Sequence, residues 1–222
     1  MANLSADVET VKANLDRVSA DVAAACERSG RSSDDVRICV ATKYVEPEAM
    51  KVLLEAGVTI AAENRLQDMI AKQERFGDDF EWHFIGAIQS RKVREIANRV
   101  SMIHSLGTES ARDKLAGLDA PAPKLLVQVN VSGEESKQGV SPVELADFIA
   151  ATPQPVSGLM TMPPLTEDPE GARPYFAKLK ALADEHALPD LSMGTSQDFA
   201  VAVEEGSTLI RVGSVLFDPA NK

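Results

Sequence analysis

The sequence predicts a single (β/α)8 TIM barrel, α/β in class, with one additional helix at its N-terminus. Three observations carry this. Eight short runs rich in apolar and β-branched residues recur along the 222 residues, alternating with segments of helical apolar spacing. No linker-like stretch interrupts them, so residues 1–222 read as one domain. The first run lacks a following Gly-x-Gly-x-x-Gly turn, which together with the strand count disfavours an open doubly wound sheet.

The leading helix is read over 4–29. Val8, Val11, Leu15, Val18, Val22 and Ala25 fall on one face, Ser5 is a suitable N-cap and Ser29-Gly30 a stop. The first strand, 36–43, ends on Lys43, and Pro47 fits the first turn of a helix that buries Met50, Leu53 and Leu54 before Gly57. The second strand, 58–62, is followed by a helix over 66–76, the third, 81–85, by a basic amphipathic helix over 90–98, and the fourth, 101–105, by one over 109–118. The fifth and longest, 124–131, leads to a helix over 142–151 behind Ser141 as N-cap. The sixth, 156–160, precedes a long helix over 168–186, the seventh, 191–193, a helix over 197–205, and the eighth covers 208–212.

Composition narrows the function. A net charge of −11 opposes unassisted binding to nucleic acid or an anionic membrane, while small anions remain accessible through local backbone sites. No apolar run approaches membrane-spanning length, and residues 1–20 lack the basic start and apolar centre of a signal peptide. The two cysteines, Cys26 and Cys39, have neither metal-ligand spacing nor the density of a disulfide scaffold, so they read as reduced core thiols of a cytoplasmic protein with no metal centre. No large unmatched apolar face stands out, which predicts a monomer.

In a barrel of this kind the functional residues sit where strands end. Those positions hold Lys43, Asn64, His83 with Gly86, Ser105, Asn130, Met160 with Thr161, Gly194 to Ser196, and Arg211 to Ser214. A lysine held at the exit of a buried strand is desolvated, which favours its neutral, nucleophilic form, the chemistry of a Schiff-base lysine. Taken alone, Lys43 is better explained as the point where the strand meets water. The Gly194-Thr195-Ser196 and Gly213-Ser214 turns follow the seventh and eighth strands, the usual phosphate site of the fold, where small residues let backbone N–H groups approach an anion. Arg211 within the eighth strand needs a partner, either an ion pair with Glu63 or a ligand's aromatic nitrogen or carboxylate. Amine, phosphate turns and arginine together describe a phosphorylated carbonyl ligand, and pyridoxal 5′-phosphate (PLP) fits all three. His83 alternates with Trp82 and Phe84 and points into the barrel, either near the cofactor or as a hydrogen-bonded core histidine.

Over nearly its whole length the chain resembles the pyridoxal phosphate homeostasis proteins (YggS/PROSC type). The resemblance is carried by Val40-Ala-Thr-Lys43, Glu63-Asn64, Trp82-His-Phe-Ile-Gly86 with Gln89-Ser90, Gln128-Val-Asn-Val131 with Glu135-Ser-Lys137 and Gly139, Gly158-Leu-Met-Thr161, Leu191-Ser-Met-Gly194 with Ser196, and Val203 to Gly213. It implies a barrel like the N-terminal domain of alanine racemase, PLP held as an internal aldimine on Lys43, Asn64 near the ring, Ser196, Gly213 and Ser214 on the phosphate, and Arg211 at the pyridine nitrogen. The full expected cofactor-binding set adds His83, Met160, Ser192, Gly194 and Thr195. Where relatives often carry Ser-Lys-Thr-Lys-Pro and Gly-Glu-Asn-Tyr, this chain has Thr42-Lys43-Tyr44-Val45 and Ala62-Glu63-Asn64-Arg65, which leaves the lysine in place.

An arginine at the pyridine nitrogen weakens the cofactor as an electron sink, which favours holding it over broad amino-acid chemistry. The first reading is therefore a PLP carrier serving intracellular PLP homeostasis, with PLP-dependent apo-enzymes as partners. The second is a low-activity racemase with Lys43 as base and an unassigned acid. The third is a barrel for another organic phosphate without a Schiff base. If the first strand continued through it, Tyr44 would point away from Lys43, and Tyr175 belongs to an outer helix. Lys137, in the loop after the fifth strand, is either a second aldehyde-capturing amine or a solvated loop residue.

Overall fold

The computed structural model describes residues 6–118, 122–134 and 137–218. Eight parallel strands close a barrel in chain order: β1 Arg37–Ala41, β2 Ile60–Glu63, β3 Glu81–Phe84, β4 Met102–Leu106, β5 Lys124–Gln128, β6 Val156–Met160, β7 Asp190–Thr195 and β8 Leu209–Val212. The last strand pairs with the first, Cys39 opposite Arg211, which closes the cylinder. Because side chains alternate along a strand, each strand feeds two cores. Cys39, Ile60, Ala62, Met102, Leu126, Met160 and Leu209 fill the interior. Val40, Ala61, Trp82, Phe84, Ile103, Leu159 and Val212 join the larger core beneath the helices.

The helices are α1 Val8–Ser29, α2 Met50–Glu55, α3 Leu66–Phe76, α4 Val93–Ala97, α5 Glu109–Arg112, α6 Leu145–Ala150, α7 Arg173–Glu185 and α8 Phe199–Glu204. Helix α1 takes the place in the outer ring that a helix after β8 would fill. It packs against α8, α2 and the short 3-10 turn Ser214–Leu216. Asn14 Nδ2 ties it to the carbonyls of Leu216 (3.1 Å) and Asp218 (3.0 Å). Its apolar stripe buries Val11, Val18 and Val22, each burial contributing roughly 1.5 kcal/mol or more.

Several element boundaries differ from the sequence reading. Ser5 lies outside the described residues; the N-cap is Asp7, whose Oδ1 accepts from Thr10 N at 2.6 Å. The helices expected over 90–98 and 109–118 are each divided into an α-turn and a 3-10 segment, Ser90–Lys92 before α4 and Asp113–Leu115 after α5. The one that matters for function is at β1. The strand ends at Ala41, and residues 42–45 form a turn closed by Val45 N to Thr42 O at 2.8 Å. Lys43 and Tyr44 are its central residues, so strand alternation no longer governs where their side chains go.

Candidate functional site

A cavity of about 660 Å³ opens at the C-terminal ends of the strands. The β1 turn brings Lys43 and Tyr44 to it, Asn64 enters just after β2, and Gly86 lies after β3. Met160 and Arg211 form part of its floor, and Thr195, Ser196, Gly213 and Ser214 one wall. Lys137 borders the same cavity, on a loop held by Asn130 Nδ2 to Glu134 O at 2.9 Å. Of the expected set, His83, Ser192 and Gly194 do not line it among the described residues.

Lys43 is exposed, so the protein does not desolvate its amine as a strand-end position would. Its Nζ sits 4.9 Å from the centre of the Tyr44 ring, a cation–π distance. The expectation that Tyr44 points away is therefore corrected: in a turn, neighbouring residues can share a side.

Asn64 Oδ1 is buried with no hydrogen-bond partner among the described residues. An orphaned acceptor costs on the order of 1–3 kcal/mol, a cost that a ligand donor in the cavity removes. The position of Asn64 is fixed by its backbone: a Cβ at Gly86 would stand 2.1 Å from Asn64 O, so only glycine fits there.

Arg211 is 5% exposed. It does not pair with Glu63, whose carboxylate faces the helices and binds Lys72 instead. The Arg211 Nη1 donates to Ser192 Oγ (2.6 Å), and Nη2 to Thr161 O (2.9 Å) and Met162 Sδ (2.8 Å). Burial lowers its pKa to about 10, which leaves it a cation at neutral pH.

Behind Arg211 a hydrogen-bonded file crosses the barrel interior. Ser192 Oγ lies 2.8 Å from His104 Nδ1, His104 Nε2 lies 2.9 Å from His83 Nδ1, and His83 Nε2 lies 2.8 Å from Glu81 Oε1 at the opposite face. An arginine can only donate and an ionised carboxylate can only accept, so the order is fixed. Each histidine carries its proton on Nε2, and Ser192 donates to His104. Burial lowers both histidine pKa values, that of His104 strongly, and the hydrogen bond from His83 lowers Glu81 to about 2. His83 thus reaches the cavity only through His104, Ser192 and Arg211. Cys39, a thiol pushed up to about 12 by burial, lies beside this file, and its sulfur with one nitrogen of each histidine falls within 4.8 Å. The nearest nitrogens of that trio are hydrogen-bonded to each other, 2.9 Å apart.

The segments 194–196 and 213–214 are joined by Gly213 N to Ser196 Oγ at 3.2 Å. Gly213 has no Cβ to meet Ala41 O, which would stand 3.3 Å away. Gly194, at φ 92°, serves packing: a Cβ there would meet the Ala202 Cβ at 2.7 Å. Thr195 N (2.6 Å) and Oγ1 (3.0 Å) both bond Asp198 Oδ1, so its donors serve the protein, as the Gly213 N–H does through Ser196 Oγ; Ser196 and Ser214 line the cavity beside them. The signal for this contact, not used in the sequence reading, is the Thr195-x-x-Asp198 spacing, in which the later side chain reaches back to the earlier backbone N–H. No comparable pattern announces Tyr44 or the buried Glu63–Lys72 pair.

Comparison with known proteins agrees with this architecture. A family model described as alanine racemase, N-terminal domain, matches residues 13–220. A pyridoxal phosphate homeostasis protein of Aquifex aeolicus is 42% identical over 217 residues, covering 91% of this chain and 95% of that protein. A crystal structure of an unknown protein from Bifidobacterium adolescentis superposes with a TM-score of 0.85 at 27% identity, covering 97% of this chain and all (100%) of that one. PipY of Synechococcus elongatus PCC7942, solved with PLP bound, superposes with a TM-score of 0.73 at 31% identity, covering 83% of this chain and 93% of that one. The chain belongs to the pyridoxal phosphate homeostasis protein family, built on the alanine racemase N-terminal-domain barrel.

Proposed function

We propose that this protein binds PLP reversibly as an aldimine on Lys43 and serves as an intracellular carrier that delivers it to PLP-dependent apo-enzymes. The observation that carries the reading is one cavity holding an exposed amine at Lys43, an orphaned acceptor at Asn64 and a buried cation at Arg211. These match an aldehyde, a ring substituent that donates, and a ring nitrogen that accepts. In this reading Ser196, Gly213 and Ser214, in the lining of the same cavity, hold the phosphate. In the tethering step the Lys43 amine adds to the aldehyde carbon, a C=N bond replaces C=O, and the carbonyl oxygen leaves as water. The step reverses with water, which suits a carrier.

Arg211 donates to the ring nitrogen and has no proton acceptor of its own, so that nitrogen stays unprotonated and the cofactor a weak electron sink. Delivery is tested by mixing the loaded protein with an apo-enzyme that requires PLP. Recovery of activity faster than the release of PLP into buffer supports direct delivery; recovery no faster than release argues against it.

One observation favours a second reading, a low-activity racemase: the Tyr44 ring lies beside Lys43 and supplies a phenol to the cavity. Racemisation, however, needs proton exchange on opposite faces of the substrate carbon, and Tyr44 packs on the lysine itself. Sustained α-proton exchange in alanine, lost in Lys43→Ala, would favour the racemase.

A further inference from the structure

We infer that Lys72 and Glu63 are positioning residues for Lys43: a buried ion pair on the outer side of β2 grips the carbonyl that closes the lysine's turn. This rests on the reading of Lys43 as the tether. Thr42 O accepts from Val45 N (2.8 Å) and so closes the turn whose central residues are Lys43 and Tyr44. The same oxygen accepts from Lys72 Nζ at 2.7 Å, the amine reaching in from α3. Lys72 also binds Glu63 Oε1, and Thr42 Oγ1 donates to that same carboxylate oxygen at 2.6 Å. Glu63 Oε2 accepts from the backbone of Asn64 at 3.3 Å, so the cluster touches the chain at both cavity residues, just before Lys43 and at Asn64 itself.

The burial makes a purely stabilising role a poor account. The side chains of Lys72 and Glu63 are 3% and 0% exposed, and a buried ion pair seldom stabilises more than apolar residues of the same volume. It does impose one geometry. A flexible lysine whose backbone is fixed loses less freedom on reaching the aldehyde, and small misplacements of a reacting group are costly. The neutral amide and thioether of Glu63→Gln with Lys72→Met keep the volume and remove the grip on Thr42 O.

The test compares wild type with the Glu63→Gln/Lys72→Met double variant, using two ligands. PLP can form an imine; pyridoxine 5′-phosphate keeps ring and phosphate but has an alcohol in place of the aldehyde and cannot. The double variant is expected to form the borohydride-trappable adduct on Lys43 about 10-fold more slowly or worse, with affinity for pyridoxine 5′-phosphate unchanged. Single Lys72→Met, which strands a buried carboxylate, is expected to lower the thermal midpoint as well, whereas the double variant stays near wild type. Imine formation at the wild-type rate in the double variant overturns the proposal, as does an equal loss of affinity for both ligands, which would mean the cluster merely supports the whole cavity. If wild type itself gives no adduct on Lys43, the carrier reading falls and this one with it; the wild-type arm separates the two failures.

Discussion

At the scale of single residues, the candidate site leaves one acceptor unsatisfied and anchors one cation while keeping part of its donor capacity free. Arg211 has three partners within the protein and stays charged, so its orientation is set before any ligand arrives. Asn64 Oδ1 has none among the described residues. Asn64→Ala is therefore expected to weaken PLP binding by about tenfold, the equivalent of about 1.4 kcal/mol, in a spectroscopic titration. Unchanged affinity would remove Asn64 from the site. Gly86 carries the complementary prediction. An added methyl meets Asn64 O at 2.1 Å, a collision with backbone, so Gly86→Ala is expected to cost about 3 kcal/mol of stability in urea unfolding and to weaken PLP binding with it. A stable Gly86→Ala variant with normal PLP affinity would contradict that placement.

At the scale of elements, β3, β4, β7 and β8 each contribute one polar side chain to the interior file of His83, His104, Ser192 and Arg211. Both histidines have pKa values below the ordinary 6.5 because burial opposes their charge. Unfolded, they take up protons below about pH 6.5; folded, they resist. Their contribution is thus fully present above 6.5 and lost as pH falls through the window below it. The other charged groups acting on the file are Arg211, Arg37, Glu81 and Asp190. Of these, only the two carboxylates titrate in acid, in the carboxylate range below the histidine window, and the depressed pKa of Glu81, about 2, places its own loss below about 4.5. Urea unfolding at pH 7.5 and 5 therefore isolates the histidines, and His104→Gln is expected to show a smaller loss between the two than wild type. Equal losses would mean His104 is not buried neutral.

The same elements show what the sequence could and could not tell. Alternating strands and helices, the small residues at the ends of β7 and β8, and polar residues at strand ends made the barrel and the end of it that holds the cavity readable. The turn at 42–45 was not, because Ala-Thr-Lys-Tyr holds no glycine, proline, asparagine or aspartate to mark where strand pairing stops. Hence the misjudged direction of Tyr44 and the exposure of Lys43. The partner of Arg211 was equally hidden: Glu63 is an outward residue of β2 and Arg211 an inward one of β8, and which acidic residue faces which cation depends on strand parity at the barrel's closure. A pair such as Glu63 and Lys72, nine positions apart on a strand and the next helix, meets only once the helix has docked.

For the whole molecule, a closed barrel leaves the β1, β2, β7 and β8 ends fixed relative to one another, and the cavity proposed to hold PLP spans them. Ligand binding should therefore stabilise the fold as a unit. PLP at 100 times its dissociation constant is expected to add about 2.7 kcal/mol to unfolding, seen as a rise in the thermal midpoint. No rise would place PLP outside the folded cavity. The strongly acidic chain, at −11, makes the local cations at Lys43, Lys137 and Arg211 the attraction for an anionic ligand, set against an overall repulsive field. The central claim is that Lys43 is the tether. Its most direct test is an absorption spectrum of the purified, PLP-loaded protein before and after borohydride, followed by peptide mapping. An imine band that reduction abolishes, with the label on Lys43, is the predicted result; a label mainly on Lys137, or no trappable adduct at all, would contradict it.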